Sequence, residues 1–225
     1  MSVRLHHEMD ELKKSILTLG AAVEEALHLA VKSLQERNEK IAATVIDSDQ
    51  EIDDMEVDLE EECLKLLALH QPVATDLRFI VAVLKINNDL ERIGDLAVNI
   101  AERARFLAVQ PPVNVQLDFP AMVESVQKMV KKSLDALVNM NTELACEVIE
   151  ADDQVDNMNR DMYRLIQDAI AKDPRQLESL IHLLSTSRHL ERIADQTTNI
   201  AEDVIYMIDG KIVRHKTEDF RKDLK

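Results

Sequence analysis

Turn-forming and aromatic residues are scarce in this sequence. Its 225 residues include 3 glycines, 5 prolines and no tryptophan, and aromatic residues make up 3% of the chain. A chain with so few turn formers favours long helices over many short strands. The sequence also contains no Gly-rich loop of the kind that cradles a nucleotide phosphate.

Cysteine, long apolar runs and positive charge are in short supply as well. The two cysteines, Cys63 and Cys146, lie far apart, which excludes a disulfide framework and a cysteine-rich zinc site. No run of about 18 apolar residues is present, and the N-terminal segment lacks the apolar core of a secretory signal. The net charge of -16 repels nucleic acids. We therefore expect a cytoplasmic protein with no direct membrane insertion and no nucleic-acid ligand.

What the sequence does contain is a helical pattern in two halves. Apolar residues make up 46% of the chain and recur every seven residues, as neighbouring helices of an antiparallel bundle require. Prolines between the halves predict a first domain at 1–110, a linker at 111–120, a second domain at 121–210 and a charged tail at 211–225. Six helices are predicted, at about 4–37, 39–69, 75–107, 118–139, 142–172 and 174–208.

Capping residues mark several of these helix ends. Asn38 and Asn141 are predicted N-caps at the short turns, and Asp118 is a predicted N-cap after the linker. Gly210 is predicted to end the last helix.

The two halves are copies of each other. The segment LERIGD at 90–95 recurs as LERIAD at 190–195, and NIAE at 99–102 recurs unchanged at 199–202. Upstream, the matching positions are 103 rather than 100 residues apart, so the first half carries three extra residues at its hairpin. A duplicated packing unit explains the repeated apolar residues, but it explains the repeated surface polar residues poorly.

Each half carries two pairs of acids spaced four residues apart. The eight acids are Asp49, Asp53, Glu91, Asp95, Asp152, Asp156, Glu191 and Asp195. A spacing of four puts both members of a pair on one helix face. Counted from the hairpin turn, the two pairs of each half stand at about the same height.

Four converging carboxylates repel one another unless a cation neutralises them. Their oxygen ligands suit Mg²⁺, Mn²⁺, Ca²⁺ or iron. No histidine occupies the same position in both halves, which argues against a zinc site of the nitrogen type. We therefore expect one carboxylate metal site in each half, with a solvated acidic face as the alternative.

Arginine is repeated beside these acids, as Arg92 and Arg192. We expect each guanidinium to form an ion pair that orients the acidic cluster. Contact with phosphate or with a partner protein is the alternative.

The repeated motifs resemble the PhoU family. The resemblance rests on segments 90–102 and 190–202 and on the hairpin HQPVATDLR at 70–78, although the second hairpin lacks that pattern. It implies an all-α fold of two tandem three-helix bundles related by internal duplication. It also implies multinuclear metal sites built from the eight acids, with Fe, Mn, Mg and Zn all open as the metal.

The resemblance also implies a role in the cell. PhoU-like proteins are negative regulators of phosphate uptake and phosphate-starvation signalling. They couple the ATPase subunit of a phosphate ABC transporter to a membrane sensor histidine kinase, often as a homodimer.

We favour an adaptor over an enzyme, because the sequence shows no nucleophile paired with a base. A carboxylate-bridged metalloenzyme is one alternative, but the Glu-x-x-His motif of ferritin-like oxidases is absent. A metal-free helical scaffold is the other alternative.

Overall fold

The computed structural model describes residues 3–115, 117 and 119–213. In these ranges the chain is helical and contains no strand. The elements are α1 (Val3–Glu36), α2 (Glu39–Asp47), α3 (Asp49–His70), α4 (Ala74–Ala108), α5 (Phe119–Asn139), α6 (Thr142–Lys172), a 3₁₀ turn (Pro174–Gln176) and α7 (Leu177–Asp209). If α2 and α3 are taken as one kinked helix, each half has three helices, which confirms the predicted all-α, duplicated fold.

The break between α2 and α3 corrects the prediction of one helix over 39–69. Ser48 separates the two segments, and its Oγ donates a hydrogen bond to the carbonyl oxygen of Val45 at 3.0 Å. The same kind of bond occurs inside unbroken helices, from Ser133 in α5 and from Thr197 in α7, so it accompanies but does not by itself cause the break at Ser48. The equivalent residue in the second half is Ala151, which has no hydroxyl, and α6 runs through it without interruption.

The predicted capping residues behave as expected. Asn38 and Asn141 each accept two hydrogen bonds from backbone N–H groups of the following helical turn, at 2.9 to 3.4 Å. Gly210 ends α7 with φ of +70°, in the left-handed region that glycine adopts without steric cost. The predicted cap Asp118 lies outside the described residues, as do residues 214–225 of the predicted tail, while Val213 is buried in the core.

The two halves meet along α4 and α7, which run antiparallel. Lys85 on α4 forms an ion pair with Asp203 on α7 at 3.0 Å, and the ring of Phe106 stacks on that of His182 with centroids 3.8 Å apart. The step from Lys85 to Phe106 equals the step from His182 to Asp203, so the helices keep one register throughout. Equivalent positions on α4 and α7 are 100 residues apart, and this register places Gly94 opposite its own equivalent, Ala194. An approximate two-fold axis therefore relates the two halves and passes near these two residues.

Both acidic segments therefore face the same side of the molecule. Helix α4 packs against α7, and α1 packs against α5 behind them, so that one hydrophobic core runs through both halves. The grooves between α3 and α4 and between α6 and α7 open on the side away from α1 and α5. We call this side the acid face. None of the described helices is long and apolar enough to cross a bilayer.

Candidate metal centres

The first groove brings together the four acids predicted in the first half. Asp49 and Asp53 lie on α3, and Glu91 and Asp95 lie opposite them on α4. The pKa of Asp49 is raised, first by burial and then by repulsion from Asp53 and Asp95. Burial and the nearby Asp53 likewise raise the pKa of Asp95. The carboxylates of the two helices are thus close enough to disfavour each other's charge.

The second groove repeats this arrangement with stronger burial. Asp152 and Asp156 lie on α6, and Glu191 and Asp195 lie on α7. Burial raises the pKa of Asp152 to about 6, with further contributions from Asp195 and Asp156. The pKa values of Glu191 and Asp195 are also raised, in both cases first by burial. A cation would remove much of this repulsion.

Close helix packing shapes the first groove. A Cβ atom on Gly94 would lie 3.2 Å from Cγ2 of Ile52, so α3 and α4 approach each other closely between the acid pairs. The second half has Ala194 at the equivalent position.

The donor chemistry of both grooves fits a hard cation. All eight predicted ligands offer carboxylate oxygen, which suits Mg²⁺, Mn²⁺, Ca²⁺ or iron better than zinc, since zinc favours nitrogen and sulfur. One buried oxygen of Asp49, Oδ1, has no hydrogen-bond partner, a costly state that a bound ion would relieve. Within the described ranges, no three acidic, histidine or cysteine side chains are already arranged around a single ion position. Binding therefore requires these partly exposed carboxylates to rotate inward.

Sequence reasoning missed two further residues at each centre. Asn87 is fully buried and donates to both the backbone carbonyl and Oε1 of Glu56, at 2.9 and 3.2 Å. Glu56 in turn contributes to raising the pKa of Glu91, after burial and Asp95. In the second half, Ser187 Oγ donates to Oδ1 of Asn159 at 2.6 Å.

These two contacts occupy equivalent positions in the repeat, but the residue types differ between the halves, so the sequence did not single them out. The first centre carries a fifth acid, Glu56, where the second carries the amide of Asn159. The second centre instead carries Asp153 beside Asp152, where the first has Gln50, so the centres differ in where the additional acid lies.

The expected ion pairs of Arg92 and Arg192 do not form. Neither guanidinium makes an ion pair with any residue that the structure describes. Both arginines are exposed and lie one position from Glu91 or Glu191, which turns them about 100° away from the groove. They act at longer range, and Arg92 partly offsets the raised pKa of Glu91.

Comparison with known proteins agrees with the duplicated fold. The sequence profile of the PhoU domain matches the chain twice, at residues 16–104 and 119–204. The chain belongs to the PhoU family. Each match contains one of the two four-acid grooves, so the family resemblance inferred from the repeated motifs is confirmed.

Relatives of known name are similar over nearly their whole length. A phosphate-specific transport system accessory protein PhoU homolog of Aquifex aeolicus is 41% identical over 214 residues, which cover 95% of this chain and 97% of the relative. The homolog from Pseudomonas aeruginosa is 35% identical over 96% of this chain and 89% of its own.

Solved PhoU structures have the same fold. The crystal structure of PhoU from Pseudomonas aeruginosa aligns with a TM-score of 0.89 at 34% identity, covering 92% of this chain and 99% of that one. The phosphate transport system regulatory protein PhoU from Streptococcus pneumoniae aligns with a TM-score of 0.83 at 28% identity, covering 93% and 99%.

Proposed function

We propose that this PhoU-family chain is an accessory protein of phosphate transport and a negative regulator of phosphate-starvation signalling. The relatives named as accessory proteins of phosphate-specific transport systems support the transport role. In this proposal the chain acts in the cytoplasm as a homodimer. It couples the ATPase subunit of a phosphate ABC transporter to a membrane sensor histidine kinase.

The observation that carries the proposal is the pair of four-carboxylate grooves on one face. We propose that Asp49, Asp53, Glu91 and Asp95 hold metal in the first groove, and that their equivalents Asp152, Asp156, Glu191 and Asp195 do so in the second. Iron, manganese, magnesium and calcium fit these oxygen donors better than zinc does. A bound cation would neutralise the carboxylates. The cation would also link α3 to α4, and the two helices would then present a fixed docking surface to a partner.

Apolar side chains on the same face support docking to a protein. Leu77 and Leu177 occupy equivalent positions near the two hairpin tips and are 40% and 44% exposed. Tyr163 and Ile181 add 53% and 50% exposed side chains in the second half. A partner that covers them would bury apolar area beside the charged grooves.

We assign no catalytic step to the chain. Ser185 Oγ lies 3.1 Å from Nε2 of His189, which resembles a nucleophile beside a base. However, Nδ1 of this ring has no hydrogen-bond partner, whereas a catalytic histidine needs an acceptor there to hold its orientation.

Co-purification tests the adaptor role directly. We expect the tagged chain to recover the ATPase subunit of a phosphate transporter from cells grown at high or at low phosphate. The double variant Glu91→Ala, Asp95→Ala should recover less of it, because the docking face loses its cation. Asp168→Asn, an exposed change on α6, is the matched control and should recover as much as the unchanged chain. Failure to recover the subunit at both phosphate levels would contradict the proposal.

A further inference from the structure

Positive charge collects at one end of the seam between α4 and α7. Here Arg188, His189 and Arg192 follow Ser185 at spacings of three, four and seven residues on one face of α7, and Arg103 on α4 stands level with Ser185. Such a concentration is unexpected in a chain with a net charge of -16. We call Arg103, Ser185, Arg188, His189 and Arg192 the basic seam.

The arginines of the basic seam have no direct ion-pair partner among the described residues. None of the three forms an ion pair or hydrogen bond with another residue in the described ranges. The nearest acids are those of the second groove. Arg188 and Arg192 partly offset the raised pKa of Glu191, and Arg192 does the same for Asp195, because each acid follows one of these arginines by three residues on α7.

The basic seam also contains two hydrogen-bonding side chains, Ser185 and His189. Ser185 Oγ contacts Nε2 of His189 at 3.1 Å, and Nδ1 of the ring is buried without a partner. When Nε2 donates to the serine oxygen, the hydroxyl hydrogen of Ser185 remains available to an acceptor. An oxygen-rich anion would supply that acceptor.

The register of α4 and α7 puts these groups within reach of one ligand. Phe106 stacks on His182, so Arg103, three residues earlier on α4, stands level with Ser185, three residues later on α7. Arg192 lies seven residues beyond Ser185, or about 10 Å along the helix. Helices in contact are about 8–10 Å apart. Long arginine side chains from both helices can therefore converge on an ion between them.

The opposite end of the seam shows that packing does not require this arrangement. Lys85 and Asp203 occupy the positions equivalent to Ser185 and Arg103, and they form an ion pair at 3.0 Å. An acid, Asp89, stands where the histidine does. The same helix pair thus carries a neutralised contact at one end and an unpaired cationic cluster at the other.

We propose that the basic seam binds a phosphoryl oxyanion, either free inorganic phosphate or a phosphate ester. Guanidinium groups bind phosphate oxygens through paired, charge-assisted hydrogen bonds and stay charged at any physiological pH. The serine hydroxyl supplies a further donor. This site uses none of the eight groove carboxylates as a ligand, so it neither needs nor implies metal there.

Calorimetric titration of the purified chain with inorganic phosphate tests the site. Arg103→Gln should weaken binding about tenfold or more, the usual effect of losing a charge-assisted hydrogen bond. Arg105→Gln removes the same charge from an exposed position on the same helix but another face, and should change affinity less than twofold. Equal losses in both variants, or no loss in Arg103→Gln, would overturn the proposal.

A second variant copies the neutralised end of the seam. Ser185→Lys combined with Arg103→Asp recreates the Lys85–Asp203 contact, so helical content should be unchanged while phosphate binding is lost. Retained binding in this variant would contradict the site.

Parallel titration with phosphoserine separates the two sources of the anion. Tighter binding of inorganic phosphate supports the free ion as ligand, and tighter binding of phosphoserine supports a phosphoryl group carried by a partner. Binding of neither would reject the inference.

Discussion

Replacing Asp152 by asparagine should stabilise the metal-free protein at neutral pH. Burial and neighbouring carboxylates raise the pKa of this acid from 3.8 to about 6. A difference of that size corresponds to about 3 kcal/mol. Because the side chain is partly exposed, solvent screening reduces the expected gain to about 1–2 kcal/mol. For a chain of this length, each kcal/mol raises the melting temperature by about 2–4 °C.

The pH dependence of this gain follows from the direction of the pKa change. The folded state holds the proton of Asp152 more tightly than the unfolded state does, so the charged form is what folding disfavours. That cost is absent below about pH 4, develops as pH rises, and is complete above about pH 6. Asp152→Asn should therefore have little effect at pH 4 and its full effect at pH 7.5.

Urea denaturation in the presence of a chelator measures both values. Asp168→Asn, an exposed change on the same helix, is the control and should shift the free energy of unfolding by less than about 0.5 kcal/mol. Adding Mn²⁺ should reverse the order, since only the unchanged chain keeps a full ligand set and gains stability from the ion. A variant that is no more stable at pH 7.5, or equally stabilised at pH 4 and 7.5, would refute the reasoning.

Three further predictions concern the fold and are measured by chemical denaturation. Lys85→Met should cost about 1–2 kcal/mol, because it removes the 3.0 Å charged hydrogen bond from Lys85 to the buried carboxylate of Asp203; an unchanged free energy of unfolding would show that the pair is dispensable. Gly210→Ala should cost about 1 kcal/mol because of the left-handed backbone at that residue, and a neutral result would contradict the helix end described for α7. Asn38→Ala and Asn141→Ala should each cost about 1 kcal/mol through loss of the N-cap, whereas their replacement by aspartate should cost much less.

The sequence predicted most of the fold because its signals are local and repeated. Helix caps such as Asn38 and Gly210 act within one helical turn, so they can be identified without tertiary information. The grouping of the acids was also predictable. A spacing of four puts two acids on one helix face, and the number of residues from the hairpin turn gives the position of each pair along its helix. The break at Ser48 was not, because serine and threonine hydroxyls also bond their own backbone inside unbroken helices, so the residue type does not mark a break.

The contacts at the α4–α7 seam could not be predicted from the sequence. Arg103 and Ser185 lie far apart in the chain and come together only through the antiparallel register of two helices from different halves. The same applies to Lys85 and Asp203. The contact between Glu56 and Asn87 is intermediate, because the repeat offsets contain it but nothing in the residue types singles it out.

The central claim is that each groove holds metal through its four carboxylates. Elemental analysis of the purified chain tests it most directly, by comparing metal per chain with that of the double variant Glu91→Ala, Asp95→Ala and of its second-half counterpart Glu191→Ala, Asp195→Ala. We expect each variant to keep about half of the metal, as two equivalent sites require, and to keep its helical circular dichroism. Metal content that stays the same in both variants would contradict the assignment of the two grooves.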